Sequence, residues 1–265
     1  MEIICCLKQV PDTEAEIRPI ADNTDINYDG LKFVINVYDE YAVEEALKVK
    51  EKVGAGTVTI VTLGPERAAE SIRTGLALGA DKAVHLDDPA FLGADAYATA
   101  KALAAAIKGL QYDLIFCGMR AIDDDSFQVG HLLAEFLGLP SVMGIVKLEL
   151  SGDKKKATVH RQVEGGVEVL DVPLPAVLGA TKGLNEPRYP SLPGIMKAKK
   201  KELKPVKLAD VGLSAGEVGK QGAKTQVAKF ALPPLRKAGK IVEGATPEEK
   251  AVTLAKLLRE EAKII

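Results

Sequence analysis

The first half of the sequence alternates short apolar runs with longer amphipathic segments, and this alternation constrains the fold more than any other feature. Four apolar runs are predicted as buried strands: Ile3–Leu7, Thr57–Leu63, Lys82–Leu86 and Asp113–Cys117. Apolar residues recur at helical spacing between and after them, which predicts helices over 39–52, 66–78 and 95–108 and another that ends near Gly138. Such alternation is typical of a parallel sheet with helices on both faces.

The pattern changes from about Val142. Alternating apolar residues at 147–150, 157–163 and 167–172 predict an antiparallel addition to the sheet, with a turn at 164–166. One more buried strand is predicted at 175–180. Beyond about residue 181, Pro, Lys and Gly accumulate. The one further element predicted is a closing helix over 247–263, with Thr246 as its N-cap and Pro247 in its first turn.

The last third of the chain has little core of its own, yet it is too apolar for a free linker. Its apolar side chains include Leu192, Ile195, Met196, Phe230, Leu232 and Leu235. We therefore predict three parts: an α/β domain over 1–183, a partner-recognition loop over 184–201, and an extended C-terminal arm over 202–265. The arm is expected to lie on another protein and to end in a helix.

Composition excludes several functional classes. A formal net charge of −2 provides no basic field that would recruit nucleic acid. Three cysteines and three histidines show no metal-ligand spacing, so no metal site is predicted. The N-terminus lacks a signal pattern and no apolar run reaches membrane-spanning length, so we expect no membrane insertion. The expected location is the cytoplasm, or the mitochondrial matrix if the source is a eukaryote.

The segment GMRAIDDDSFQV at 118–129 follows a predicted strand and opens a predicted helix. Backbone N–H groups at a helix N-terminus bind anions, so Ser126 and the N–H groups of 127–129 are well placed for a phosphate. The aspartates at 123–125 are expected to cap neighbouring N–H groups or ribose hydroxyls instead of touching that phosphate. The alternative is an acidic surface loop in which Asp125 or Ser126 is the N-cap, because the segment matches no established phosphate-loop motif.

Two further segments are predicted to lie at the same edge of the sheet. Asn36–Glu40 precedes the first long helix, and Thr62–Pro65 closes the second long strand. Together with 118–129 they predict a Rossmann-like, adenine-nucleotide-binding domain in which one nucleotide spans all three. The alternative for these two segments is ordinary helix capping and a turn. No Ser/His/Asp set, Cys/His pair or paired carboxylates appear, so no stand-alone catalytic site is predicted.

The basic stretch at 184–201 holds Leu192 between Pro190 and Pro193. An exposed Leu fixed in this way is typical of a preorganised anchor that enters a partner's pocket. The alternative is a solvated loop, which is what most charge runs are.

Several of these motifs together resemble one family. The stretch VHRQVEGGVEVLDVPLPAVLGAT at 159–181, followed by LNEPRYPSLPGIMKAKKK at 184–201, resembles the β-subunit signature of electron-transfer flavoproteins. The resemblance extends through YAVEEALKVKE at 41–51, GLALGAD at 75–81 and RAIDDDSFQVG at 120–130. It therefore covers most of residues 1–201.

The resemblance implies a heterodimer with an electron-transfer flavoprotein α subunit, which holds most of the FAD site. The β subunit holds AMP, or a second FAD reduced by NADH in the electron-bifurcating branch. The implied nucleotide-binding residues are Cys6, Asn36, Val37, Tyr38, Asp39, Leu63, Gly118, Met119, Arg120, Ala121, Ile122, Asp123, Asp124, Asp125, Ser126, Phe127, Gln128 and Val129. The implied docking residues are Leu192, Pro193, Ile195 and Met196. Electrons would come from acyl-CoA-type dehydrogenases and leave to a downstream, quinone-linked acceptor.

Two positions depart from the family in ways that concern the α-subunit flavin and its domain, and the acidic loop bears on which branch of the family the chain resembles. Thr13 stands where some members have Tyr near the α-subunit flavin, and Gln162 stands where some have Glu. Bifurcating members often have D-G-D where this chain has Asp123–Asp125, and glycine there would let the backbone approach a ligand more closely. We therefore predict AMP and a non-bifurcating carrier. The alternatives are a bifurcating subunit and, from a different class, a nucleotide-sensing domain of the universal-stress type.

Overall fold

The computed structural model describes residues 1–236 and 238–265. Its strands are β1 (Glu2–Cys6), β2 (Gln9–Pro11), β3 (Phe33–Ile35), β4 (Thr57–Leu63), β5 (Lys82–Leu86), β6 (Leu114–Gly118), β7 (Ser141–Leu150), β8 (Lys156–Val163), β9 (Gly166–Pro173), β10 (Val177–Ala180) and β11 (Leu203–Val206). Its α-helices are α1 (Val37–Val53), α2 (Ala68–Leu78), α3 (Ala96–Ile107), α4 (Val129–Leu137), α5 (Leu192–Ala198), α6 (Gly219–Gly222) and α7 (Pro247–Glu260).

Nine strands form one sheet in the order β11-β5-β4-β1-β6-β10-β7-β8-β9, and all pairs from β11 to β7 are parallel. Helices α1 and α2 pack on one face, around Ile60 and Phe116. Helices α3 and α4 pack on the other, around Ile115 and Leu133. The predicted α/β fold, with a parallel sheet between two helical layers, is confirmed.

The antiparallel addition is also confirmed, since β8 pairs antiparallel with both β7 and β9. In β8, Ala157 and Val159 are buried and Thr158 between them is not, which is the alternation that predicted the strand. Strand β7 begins at Ser141, six residues before the run predicted from 147. Four successive residues in its first half, 142–145, are buried. This part of the strand therefore lacks the alternation of buried and exposed residues that is typical of a strand with one face in solvent.

Three short strands were not predicted. Strands β2 and β3 form a separate antiparallel pair, in which Gln9 faces Ile35. Strand β11 pairs in parallel with β5 and makes the edge of the main sheet, so the sheet continues into the segment predicted as the C-terminal arm. Its sequence, LKPV, has Pro205 at its third position. Proline argues against a strand except at the edge of a sheet, and the sequence did not show that this segment lies at an edge.

Residues after 183 contain more regular structure than the sequence indicated. Leu192–Ala198, predicted as part of a loop, form helix α5, whose N-cap Ser191 accepts a hydrogen bond from the N–H of Gly194 (3.1 Å). The predicted closing helix is confirmed as α7, capped by Thr246, and none of its side chains is buried. Within the described ranges, every helix is too short or too polar to cross a membrane.

Candidate nucleotide-binding site

A cavity of about 440 Å³ lies at the carboxyl ends of β1, β4 and β6. The start of α1, the turn Leu63–Pro65 after β4 and the loop 118–129 after β6 all contribute to its wall. The structure therefore brings together the three segments that the sequence placed at one sheet edge. The reason is topological: parallel strands end on the same side, and neighbouring strands bring their loops together.

Asn36, the residue before α1, links that helix to the loop after β6. Its side-chain amide donates to the carbonyl oxygen of Arg120 (2.9 Å), and its carbonyl oxygen accepts from the N–H of Ile122 (3.2 Å). The side chain is buried, so both bonds satisfy groups that would otherwise lack a partner. Asn36 thus fixes the backbone of the loop at the cavity wall.

Asp39, in the first turn of α1, connects two strand ends. Its carboxylate accepts hydrogen bonds from the backbone N–H groups of Lys8 (2.7 Å) and Gly118 (2.9 Å). Burial raises the pKa of this carboxyl to about 7, while the N–H groups of Lys8, Asn36 and Gly118 act to lower it. A Cβ at position 118 would collide with Asp39 and Tyr38, so glycine is required for this close approach.

Two aspartates of the acidic loop share one cation, Lys8. The Nζ of Lys8 lies 2.7 Å from a carboxylate oxygen of Asp123 and 3.3 Å from one of Asp124. Asp123 also accepts from the N–H of Asp124 (3.0 Å), and Asp124 accepts from the N–H of Ser126 (3.1 Å). These are the backbone caps expected from the sequence. They also engage the N–H of Ser126, which is therefore not free for a phosphate.

The third aspartate has a different partner. Asp125 has a left-handed backbone (φ 53°), and its carboxylate accepts from the guanidinium of Arg120 (2.9 Å). The same guanidinium donates to the hydroxyl of Tyr38 (2.9 Å) and lies over the Tyr38 ring. Arg120 therefore links the loop to the first turn of α1, through its contacts with Asp125 and Tyr38.

Helix α4 presents a free N-terminus to the cavity. Gln128 precedes it and makes no side-chain capping bond, whereas Asp95 caps α3 and Ser191 caps α5. The N–H groups in the first turn of a helix have no intrahelical acceptor. Because Gln128, Val129 and Gly130 line the cavity, these donors and the positive end of the helix dipole are available to an anion.

Most of the predicted nucleotide-binding residues lie in the cavity wall. They are Cys6, Asn36, Asp39, Leu63, Gly118, Met119, Arg120, Ala121, Asp123, Asp124, Ser126, Phe127, Gln128 and Val129. Four do not line it: Val37, Tyr38, Ile122 and Asp125. Tyr38 and Asp125 instead bind Arg120, and Ile122 donates its N–H to Asn36, so these residues support the wall from outside.

The cavity also has wall residues that the sequence did not indicate. Lys8 follows β1, and its role depends on aspartates more than a hundred residues away. At the outer end, the guanidinium of Arg67 lies 4.4 Å from the Phe33 ring centroid and 5.2 Å from that of Tyr28. The one sequence signal that could have indicated Lys8 as a wall residue is that it is a polar residue directly after a predicted strand. That signal is general, because polar residues follow many strands.

The predicted docking residues lie together on α5 and are exposed. Leu192 is 80% exposed and Met196 67%, although large apolar side chains usually pack inward. Ile195 is less exposed, at 41%, and Pro193 is also exposed. Tyr189, which the sequence did not single out, is 94% exposed just before them.

Other chemistry finds little support in the part of the chain that the structure describes. No group of three or more His, Cys, Asp or Glu side chains there converges on a metal-binding geometry. Burial raises the pKa of the Cys6 thiol to about 12, and that of Cys117 is also raised by burial. These two thiols in the cavity wall are therefore un-ionised and do not serve as nucleophiles near neutral pH.

Comparison with known proteins identifies a family. The electron transfer flavoprotein domain matches residues 25–211. The electron transfer flavoprotein subunit beta of Bacillus subtilis strain 168 is 45% identical over 271 residues, covering 100% of both chains. That of Thermoanaerobacterium thermosaccharolyticum is 44% identical over 250 residues, 94% of each chain. Subunit CarD of the caffeyl-CoA reductase-Etf complex of Acetobacterium woodii is 41% identical over 262 residues, 98% of each chain.

These matches decide against the universal-stress alternative, because they span the candidate cavity and continue through residues 184–201, the predicted partner-recognition loop, which we call the docking segment. Identity above 40% over nearly the whole length of several relatives also agrees with the motifs at 41–51, 120–130 and 159–201. The chain therefore belongs to the electron transfer flavoprotein family, as a subunit of the beta type.

Proposed function

We propose that this chain binds AMP in the cavity and pairs with an α subunit that holds most of the FAD site. The heterodimer accepts electrons from acyl-CoA-type dehydrogenases and passes them to a downstream, quinone-linked acceptor. The observation that carries the proposal is the cavity of about 440 Å³ beside the uncapped N-terminus of α4. This volume is typical of pockets for small ligands.

The wall residues suit a nucleoside monophosphate. The phosphate would lie against the N–H groups in the first turn of α4, where the helix dipole favours negative charge. Apolar contacts for the base would come from Leu63 and the neutral Cys6 side chain, both in the cavity wall. Lys8 pairs with both Asp123 and Asp124, which reduces the repulsion that two free carboxylates would exert on a phosphate.

The geometry of Asp124 favours AMP over a second FAD. Asp124 stands where bifurcating members often have glycine, and it is not among the residues with positive φ. Asp124 lines the cavity, and its side chain lies 3.3 Å from Lys8 and accepts the N–H of Ser126, whereas a glycine there would present no side chain to a longer ligand. AMP in the cavity would then have a structural role, and the redox-active group would be the FAD bound by the heterodimer.

Exposed apolar surface on the C-terminal arm supports an α-subunit partner. Val227, Leu232, Leu235, Ile241, Val252 and Leu254 are all exposed. Helix α7 is amphipathic and buries none of its side chains within this chain, so it has no core to stabilise it alone. FAD, when bound in the pair, supplies one- and two-electron chemistry, and the arm would hold the two chains together around it.

The apolar patch on α5 supports dehydrogenase docking. Leu192 and Met196 are exposed beside Lys197, Lys199 and Lys200, which combines an anchor with a basic rim. Apolar anchors supply affinity, and rim charges steer the encounter with an acidic partner in a salt-dependent way.

Nucleotide analysis of the purified heterodimer tests this function. Co-expression with the α subunit, followed by release and counting of the nucleotides, should give one FAD and one AMP per pair. Two flavins and no AMP would overturn the proposal in favour of the bifurcating alternative. The direct assay is reduction of the bound flavin by NADH, which we expect to be absent.

A further inference from the structure

The docking segment is joined to helix α1 through one arginine. The Nε of Arg188 lies 2.7 Å from Glu44, and its Nη1 lies 2.7 Å from Glu51. Its Nη2 contacts both carboxylates, at 3.0 Å and 3.1 Å. The backbone N–H of Arg188 also donates to Glu44 (3.2 Å). One guanidinium thus bridges two turns of α1, and planar guanidinium groups are suited to such forked bonds.

This arrangement differs from an ordinary surface ion pair. The Glu44 side chain is only 8% exposed, and that of Arg188 is 34% exposed. A carboxylate so deeply buried needs a charged partner, and removing that partner leaves an uncompensated charge. Surface pairs, by contrast, contribute little. The contact with Glu44 is therefore expected to persist in solution and to hold the backbone at 188.

Other contacts hold both ends of the same segment. Upstream, the side-chain amide of Asn185 donates to the carbonyl of Tyr41 (3.0 Å) and to Glu45 (2.9 Å), both on α1. Downstream, the Arg73 guanidinium of α2 donates to the carbonyls of Ala198 (2.7 Å) and Lys201 (2.8 Å). Between these tethers the chain exposes its apolar side chains, from Tyr189 to Met196. The segment is thus fastened by polar contacts that leave its apolar face uncovered.

We propose that Arg188 is a positioning residue for electron transfer: by binding Glu44 and Glu51 it holds the docking segment in its partner-ready shape. The inference rests on the proposed docking function of Leu192. The physical reason is preorganisation, because a loop that is ordered before binding loses less conformational entropy when the partner arrives. Arg188 itself need not touch the dehydrogenase. Its effect should therefore fall on recognition and not on the flavin.

The test uses the co-purified heterodimer, with a short-chain acyl-CoA dehydrogenase and butyryl-CoA as the electron donor. Arg188→Gln should raise the KM for the heterodimer about tenfold, equivalent to ~1.4 kcal/mol, with kcat unchanged. Flavin content and the rate of flavin reduction by dithionite should also be unchanged, since dithionite needs no docking. Arg188→Lys, which keeps the charge but not the fork, should recover part of the loss.

Lys101→Gln is the matched control. Lys101 forms a partly buried pair with Glu217 (2.8 Å), but it belongs to α3, on the opposite face of the sheet. Its loss should leave the KM unchanged. Glu44→Gln offers a second route if Arg188→Gln lowers expression, because it removes the buried negative charge and leaves the exposed pair with Glu51. The double variant, Arg188→Gln with Glu44→Gln, should raise the KM no further than Arg188→Gln alone, since both changes break the same contact between these two residues.

The outcomes separate this inference from the docking proposal. If Leu192→Ala raises the KM while Arg188→Gln and Glu44→Gln do not, the segment docks but Arg188 does not position it. If Leu192→Ala is also without effect, the docking function fails and the inference fails with it. Additive effects in the double variant would likewise overturn the positioning role.

Discussion

The side-chain ammonium of Lys8 lies 2.7 Å from a carboxylate oxygen of Asp123, and it joins the end of β1 to the loop 118–129 in the wall of the candidate nucleotide cavity. Lys8→Gln should weaken AMP binding about tenfold, because Asp123 and Asp124 would then repel the phosphate without compensation. The measurement is the Kd of AMP for nucleotide-stripped heterodimer at low and high salt, and the deficit should shrink as salt screens the repulsion.

Lys32→Gln provides the control for this change. Lys32 also forms an ion pair at 2.7 Å, with Asp12, but it does not line the cavity. Equal AMP affinity in Lys8→Gln and the parent protein would show that the aspartates do not act on the ligand.

Replacing Leu192 tests the apolar anchor. Leu192→Ala should slow electron transfer from the dehydrogenase by roughly one to two orders of magnitude. A hot-spot Leu that becomes buried on docking contributes about 1–3 kcal/mol of binding free energy, which corresponds to a change of that size. The measurement is the rate of electron transfer from the dehydrogenase to the heterodimer, compared between variant and parent protein at equal FAD content. Ile20→Ala, which truncates an exposed apolar side chain outside the docking segment, should have no effect. A normal rate in Leu192→Ala would dismiss the anchor.

The stability of the chain should depend on pH through Asp39. Its pKa is raised from 3.8 to about 7 in the folded protein, so between these values the folded state binds more protons than the unfolded state. Stability from this group is therefore greatest below pH 3.8 and is lost as pH rises through 7, by up to about 4 kcal/mol. Urea unfolding from pH 5 to pH 8 should show this decline, and Asp39→Asn should lack it. A parallel pH dependence in the two proteins would contradict the assignment.

Asp95 joins helix α3 to residues 224–225 of the C-terminal arm. One carboxylate oxygen caps α3 at the N–H of Ala98 (2.9 Å), and the other accepts from the N–H groups of Lys224 and Thr225 (both 2.8 Å). Asp95→Ala should lower the free energy of unfolding by about 1–3 kcal/mol, since it removes a helix cap and a tether together. Limited proteolysis after Lys224 should accelerate.

Thr246→Ala is the control for the cap, because Thr246 caps α7 (3.3 Å) but ties no other segment. If both variants lose the same stability and resist proteolysis equally at Lys224, the Asp95 tether has no role in holding the arm.

Local sequence was sufficient for most of the fold. Thr57–Leu63 is predictable as a strand because six of its seven residues are β-branched, and α1 because its apolar residues repeat every three to four positions. Neither depends on distant partners. The edge strand Leu203–Val206 was missed because parallel pairing with β5, and not side-chain pattern, makes it a strand.

The candidate site divides in the same way. Two of its three segments could be found because each follows a strand of the parallel sheet, and parallel strands end at one edge. The third, Asn36–Glu40, could be found because it opens the first long helix. The contacts that shape the cavity could not, because they join residues far apart in sequence: Lys8 with Asp123, and Asp39 with Gly118. No local pattern shows which donor meets which acceptor.

The sequence by itself determined the alternating strands and helices, the acidic loop that opens α4, and an apolar anchor in a basic segment. These follow from periodicity, strand ends and composition, which act over a few neighbouring residues. Only the tertiary structure decided that Lys8 pairs with two aspartates of the acidic loop and that Arg188 binds the docking segment to Glu44. Side-chain pairing across the fold depends on burial and orientation in three dimensions, and the order of residues in the chain does not encode it locally.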